Sequence, residues 1–193
     1  MSNWIRSATR RDAPAILSIY APAVLTTAAS FELDPPDEPE MQARIATTLE
    51  SFPWLVLEDG GRVAAYAYAG RFHARPAYRW SVEVSVYVDA NHRGRGAGKA
   101  LLRSLLRELD RCGFVNAFAG VTLPNPSSVR LFEGLGFEQV AHYRDVGFKL
   151  GAWRDVGWWQ KRLRDPPGSP SEPISWRSLR VTERLRRTPS APT

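Results

Sequence analysis

SVEVSVYVDANHRGRGAGKALLRSLLREL, residues 81–109, contains a strand, a glycine-rich turn and a helix, in that order. Valines at 82, 84, 86 and 88 alternate with Glu83, Ser85 and Tyr87, the period of a half-buried strand. Ala100, Leu101, Leu102, Leu105, Leu106 and Leu109 recur at helical spacing, and Gly113 stands where a helix stops. Between them lies Arg93-Gly94-Arg95-Gly96-Ala97-Gly98-Lys99.

A glycine-rich turn that opens into a helix suits phosphate. The first N–H groups of a helix lack internal partners, and the helix dipole puts partial positive charge there. Gly94, Gly96 and Gly98 carry no side chain to block a pyrophosphate, and Arg93, Arg95 and Lys99 add charge. Spacing excludes two common phosphate motifs. The dinucleotide pattern G-x-G-x-x-G, counted from Gly94, ends on Lys99. The G-x-x-x-x-G-K-[S/T] loop would need glycine at Arg93 and a hydroxyl at Ala100. The pattern that fits is [Q/R]-x-x-G-x-[G/A], as Arg93-x-x-Gly96-x-Gly98. In this it resembles the coenzyme A pyrophosphate loop of the GCN5-related N-acetyltransferases (GNAT).

The rest of the chain bounds the reading. Its 193 residues suit one domain with a tail. No stretch is long and apolar enough to span a membrane, and MSNWIRSATRRD lacks the apolar run of a signal peptide. Cys112 is the only cysteine, so no internal disulfide forms, and a cytoplasmic location is expected. Much of the net charge of +6 is local: residues 164–193 hold six arginines against Asp165, Glu172 and Glu183. The remaining excess includes the cations of the turn, so a polyphosphate ligand accounts for it without nucleic acid, and no finger, basic zipper or helix-turn-helix is present in the sequence. Neither a nucleic-acid nor a membrane partner is expected, and no metal site is read.

In chain order the patterns predict a strand at Trp4–Ser7, a helix opened by Thr9-x-x-Asp12 and interrupted at Pro22, and a helix over Glu38–Ser51. A hairpin follows, Trp54–Glu58 and Arg62–Gly70. After the central unit come a strand at Asn116–Val121, a helix at Ser127–Leu135, and strands at Phe137–Tyr143 and Trp153–Leu163 joined by Arg144–Ala152. This order predicts an α/β fold with a mixed, mostly antiparallel twisted sheet and helices on both faces. Residues 164–193, with six prolines and five serines, are expected to form a mostly disordered tail outside a domain of residues 1–163.

That order resembles the GNAT acyl-CoA N-acyltransferase fold over about Ile5 to Leu163. A second motif supports it: Asn125 opens a loop, and Leu131-Phe-Glu-Gly-Leu-Gly-Phe137 follows. Four further stretches are similar to the phosphinothricin and methionine-sulfone N-acetyltransferases: Phe31-Glu32, Arg75-Pro-Ala-Tyr78 with Trp80–Val88, Leu123–Arg130, and Val146-Gly-Phe-Lys149-Leu-Gly-Ala-Trp153-Arg-Asp155-Val-Gly-Trp-Trp-Gln160. The resemblance implies acetyl transfer from acetyl-CoA to the α-amine of a small amino acid or analogue, by a homodimer, without a metal. It assigns cofactor contacts to Val86, Tyr87, Val88, the turn Arg93–Lys99, Asn125 and Ser128. It assigns substrate contacts to Phe31, Arg75, Tyr78 and Lys149, with Lys149 meeting a second oxyanion group.

The chemistry needs a base for the ammonium. Glu83 is the candidate, because an apolar strand raises a carboxyl pKa. It also needs a hydrogen-bond donor for the developing oxyanion, and the resemblance implies a backbone N–H around Val86 to Val88. The position that many relatives fill with a tyrosine or histidine acid holds Phe132, which donates no proton. Acetylation of another amine or a protein N-terminus, and acyl-CoA binding without catalysis, are the alternative readings.

Overall fold

The structure is a computed structural model. It describes the backbone of residues 4–187 and side chains through Thr182. Seven strands form one sheet: β1 (Trp4–Ser7), β2 (Trp54–Asp59), β3 (Arg62–Arg71), β4 (Ser81–Val88), β5 (Asn116–Leu123), β6 (Glu138–Lys149) and β7 (Ala152–Arg162). Their order across the sheet is β1-β2-β3-β4-β5-β7-β6. Only β4 and β5 run parallel; every other neighbouring pair is antiparallel. The mixed, mostly antiparallel sheet expected from the sequence is present.

Helix α3 (Ala97–Cys112) buries Leu101, Leu102, Leu105, Leu106, Leu109 and Cys112 on one face of the sheet. Each such leucine contributes roughly 1.5–3 kcal/mol by leaving water. Helix α4 (Pro126–Glu133) joins that layer through Phe132. On the opposite face, α1 (Ala13–Thr26) and α2 (Glu38–Ser51) bury Ile16, Val24, Met41 and Ile45 against Trp54, Val56 and Tyr66. The even-numbered valines of β4 therefore face α3, and Glu83, Ser85 and Tyr87 face the α1–α2 side.

Three expectations are corrected. Pro22 does not end α1, which runs to Thr26. Proline removes one helical N–H, but Ala23 and Val24 are buried beyond it, and their packing carries the helix on. The segment Arg144–Ala152 is not a loose joint. Strand β6 runs to Lys149 and turns on Leu150-Gly151, both at positive φ (52° and 73°), as a tight two-residue hairpin requires.

The third correction concerns the tail. Helix α5 (Trp176–Arg187) follows an extended run that lies along the body, and Trp176 is only 3% exposed, inside the α3-side core. The Ile174 N–H donates to the Cys112 carbonyl at 2.7 Å, and Leu179 packs beside Trp176's cluster. An average over prolines and serines hides what fastens the segment: the side chains of Trp176 and Leu179 and the backbone N–H of Ile174. Residues 188–193, part of the same expectation, lie outside the described residues.

Candidate active site

Strands β4 and β5 are each eight residues long but pair at only three positions, Ser81↔Asn116, Val82↔Ala117 and Glu83↔Phe118. Beyond Glu83 they diverge, while β4 stays paired to β3 as far as Val88. The Asp89 N–H donates to the Ala64 carbonyl at 2.9 Å, so alternate residues on β4 direct their backbone groups to β3. The Trp80 carbonyl accepts from the Val115 and Asn116 N–H groups, on the other side. By this alternation the N–H and C=O groups of Val84, Val86 and Val88 face the wedge between the diverging strands. Tyr87, by contrast, aims its amide at β3 and its ring at Tyr20 and Tyr66.

The glycine turn closes the mouth of this wedge. Gly94 and Gly96 have φ of 72° and 84°, which residues with a Cβ rarely adopt, and Gly96 caps α3. Gly98 is buried where α3 meets β4 and α4: a Cβ there would lie 3.4 Å from Leu131 and from Val88, an ordinary contact distance. Ala97 is buried beside it, and Arg95 is exposed. Arg93 Nε donates to the Val88 carbonyl at 3.3 Å, tying the turn to β4. The Lys99 ammonium lies about 4.0 Å from the Cβ position of Gly134, at the C-terminal end of α4, where helix carbonyls favour a cation.

Asn125 caps α4, accepting the Ser128 N–H at 3.1 Å. That N-terminus is the second set of helix amides bordering the wedge. Phe132 is 4% exposed and packs edge-to-face on Phe137 with ring centroids 5.2 Å apart. The position expected to carry an acid is thus a core residue.

On the α1–α2 side, Glu83 stands at the last paired rung, where the strands part. Burial raises its pKa above the usual carboxylate value, and among the described residues no cation pairs with it. Its rung neighbours are Gly70 on β3 and Phe118 on β5. Phe72 stacks on Phe118 at 4.0 Å and meets Trp158 edge-on at 5.8 Å, forming an aromatic wall beside the carboxylate. The Arg75–Tyr78 turn hangs from that wall, with Tyr78 contacting Phe72 and His73 edge-on. Arg75 is exposed and Tyr78 is 42% exposed. Tyr68 has its pKa pushed up to about 12, chiefly by burial.

Lys149 differs from its expected part. It is buried, and its Nζ donates to the carbonyls of Ser30 at 2.6 Å and Glu32 at 2.8 Å. A long side chain in a strand reaches the nearest acceptors, and these are carbonyls of the loop before α2. Those two residues flank Phe31, whose ring lies over Gly147: a Cβ on Gly147 would sit 2.3 Å from Phe31 Cε2. Lys149 and Gly147 therefore fix Phe31 in place. Asp155, in the same motif, accepts the Asp145 N–H at 2.9 Å and bonds His142 Nε2 at 2.7 Å, pinning a bulge where Asp145 has φ of 47°. Sequence reasoning missed Gly147, Asp155 and the aromatic wall; the unusual run Gly147–Asp155 was the signal available for the first two.

Among the described residues no His, Cys, Asp and Glu group is placed to hold a metal ion. The wedge, its strand amides and two helix N-termini fit a long ligand with a pyrophosphate and an acyl carbonyl.

Residues 5–158 match the acetyltransferase (GNAT) domain, and the chain belongs to that family. It is 38% identical over 172 residues to the phosphinothricin N-acetyltransferase of Streptomyces viridochromogenes, covering 89% of this chain and 94% of that one. It is 39% identical over 160 residues to the L-methionine sulfoximine/L-methionine sulfone acetyltransferase of Salmonella typhimurium, covering 82% and 94%. A crystal structure of a GNAT superfamily phosphinothricin acetyltransferase from Sinorhizobium meliloti, in complex with acetyl-CoA, superposes with a TM-score of 0.84 at 36% identity, over 92% of this chain and all of that one.

Proposed function

We propose that this acetyltransferase acts on the α-amine of a small amino acid or amino-acid analogue, with phosphinothricin, methionine sulfone and methionine sulfoximine as the first substrates to test. The observation that carries this is the position of Glu83 at the fork of β4 and β5, on the face opposite α3. The amine reaches the wedge from the α1–α2 side, and the glycine turn and α4 receive the cofactor from the other.

Acetyl-CoA, when bound, supplies a thioester carbonyl open to attack. Glu83 takes the proton of the incoming ammonium, directly or through water; its raised pKa moves it toward that task. The amides of Val86 and Val88 face the place where the oxyanion develops. Phe132 gives no proton, and a thiolate leaves without one because thiols are moderately acidic. Arg75 offers the substrate carboxylate a bidentate fork, and Phe31 and Tyr78 shape the pocket. The turn amides at Gly94–Lys99, with Arg93, Arg95 and the Asn125–Ser128 cap, hold the pyrophosphate and pantetheine arm.

The enzyme works as a homodimer in this reading. Val140, Tyr143, Val146, Phe148, Leu150 and Trp153 of the β6–β7 hairpin are all more than half exposed, and Phe148 and Trp153 meet edge-on at 5.5 Å; exposed apolar side chains gathered on one hairpin favour an interface there. Cys112 is buried, with its thiol pushed up to about 11 mainly by burial, and stays inert in a reducing cytoplasm. The test is release of free CoA thiol with the three compounds and common amino acids offered in parallel. Turnover that is lost in Glu83→Gln at intact CoA binding supports the reading. CoA binding without turnover on any amine removes it in favour of a binding-only or protein-acetylating role.

A further inference from the structure

The segment after β7 is fastened to the body at a series of points. Arg164 pairs with Asp110 near the end of α3 (2.8 Å). Pro173 passes 3.7 Å from the Cβ position of Gly113, and the next residue bonds the Cys112 carbonyl. Trp176 is then sealed in the core, with Arg180 over its ring at 5.4 Å, and Arg177 reaches Glu50 of α2. Between the first anchor and Trp176, the segment makes two contacts with the stretch that leads into β4. The Ser171 carbonyl accepts the Trp80 indole N–H at 2.9 Å, and Glu172 pairs with Arg79.

Arg79 and Trp80 directly follow the Arg75–Tyr78 turn. The Arg79 Nε donates to the Pro76 carbonyl at 2.9 Å, and the Tyr78 and Arg79 amides close the turn onto Arg75 and Pro76 at 3.1 Å each. The guanidinium thus bonds the turn with one edge and the C-terminal segment with the other. An exposed ion pair such as Arg79–Glu172 is weak alone, so its persistence depends on the buried anchor that holds Glu172 close.

We propose that residues 164–182 form a strap that positions the amine-binding turn: Trp176, seated in the core, keeps Ser171 and Glu172 against Trp80 and Arg79, and so fixes Arg75 and Tyr78. The proposal rests on the reading of Arg75 and Tyr78 as substrate contacts. Trp176, Glu172 and Trp80 are positioning residues; none of them borders the wedge.

The experiment uses the full chain with Glu172→Ala, Trp80→Phe, Trp176→Ala and Trp176→Phe, assayed well below their unfolding temperatures. In Trp176→Ala the KM for methionine sulfone rises about fivefold, while kcat and the KM for acetyl-CoA stay within about twofold. Trp80→Phe and Glu172→Ala give smaller rises of the same kind, and Trp176→Phe restores most of the loss. Hydrogen exchange at the Tyr78 and Arg79 amides speeds up by about tenfold in Trp176→Ala and in Trp80→Phe, and by about threefold in Glu172→Ala. Should Trp176→Ala fail to fold, Trp80→Phe and Glu172→Ala carry both readouts. Exchange at Tyr78 and Arg79 that is unchanged, or KM values for both substrates that move together, overturns the strap and leaves a merely structural anchor. Faster exchange with no turnover on any amino acid keeps the strap and removes the substrate assignment instead.

Discussion

Lys149 holds Phe31 without touching its ring: the ammonium bonds the carbonyls of Ser30 and Glu32, one on each side of it, while Gly147 on the same strand lies beneath the aromatic face. The β6–β7 hairpin thereby sets the position of a residue more than a hundred positions earlier in the chain. Gly147→Ala puts a methyl where the ring is, and the ring must move. The expected result is a KM for the amine raised about tenfold, with acetyl-CoA binding unchanged, read by steady-state kinetics and calorimetry.

Lys149→Met removes the donor and leaves two loop carbonyls without it. A lost partner for part-buried acceptors costs about 1–3 kcal/mol, so the melting temperature falls and the amine KM rises together. Equal kinetics in the variant and the parent would show that Phe31 holds its place unaided.

Glu83→Gln separates catalysis from stability. The side chain keeps its shape and loses its basicity, and kcat falls by about 10²–10⁴-fold. The folded pKa of Glu83 lies above its unfolded value, so its ionisation favours the unfolded chain. Relative to an unshifted glutamate, stability is fully present below the unfolded pKa and is lost as pH rises through the folded one. The variant therefore melts higher than the parent at pH 7, and the two converge toward pH 4. In the parent, the acidic limb of kcat/KM falls above the pH at which an ordinary glutamate titrates. A limb at the ordinary value would sink the assignment of Glu83 as base.

Gly96→Ala tests the turn. At φ of 84° a Cβ is strained by about 1 kcal/mol or more, and relief of that strain tilts the amides that open α3. The acetyl-CoA KM rises and the amine KM does not, the reverse of the Gly147→Ala pattern.

Trp153→Glu places a charge on the exposed hairpin face. Sedimentation gives a dimer for the parent and a monomer for the variant. A parent that sediments as a monomer at all concentrations would remove the dimer from the reading.

The central unit was legible because two periods meet there without competition: valines at every second position, then leucines at helical spacing, with glycines between. The wedge was not legible from these periods, since nothing in Ser81–Val88 or Asn116–Leu123 says that pairing stops after three rungs. Glu83 was visible as a polar residue in an apolar strand, and its place at the fork came only with the register. Lys149 was assigned to substrate through the family resemblance, and the contact that holds it, to carbonyls of a distant loop, leaves no mark in local sequence. The C-terminal strap escaped for a similar reason: one buried tryptophan outweighs a disorder-like composition.

The three-rung seam between β4 and β5 makes the protein a sheet with a gap in its middle. Backbone groups at such a gap want partners, as they do at any unpaired strand edge. Whatever fills the gap also completes the fold, and ligand binding to the folded state adds stability by mass action. A ligand that bonds the free N–H and C=O groups along Val84–Val88 is therefore expected to raise the melting temperature as well as to enter the reaction.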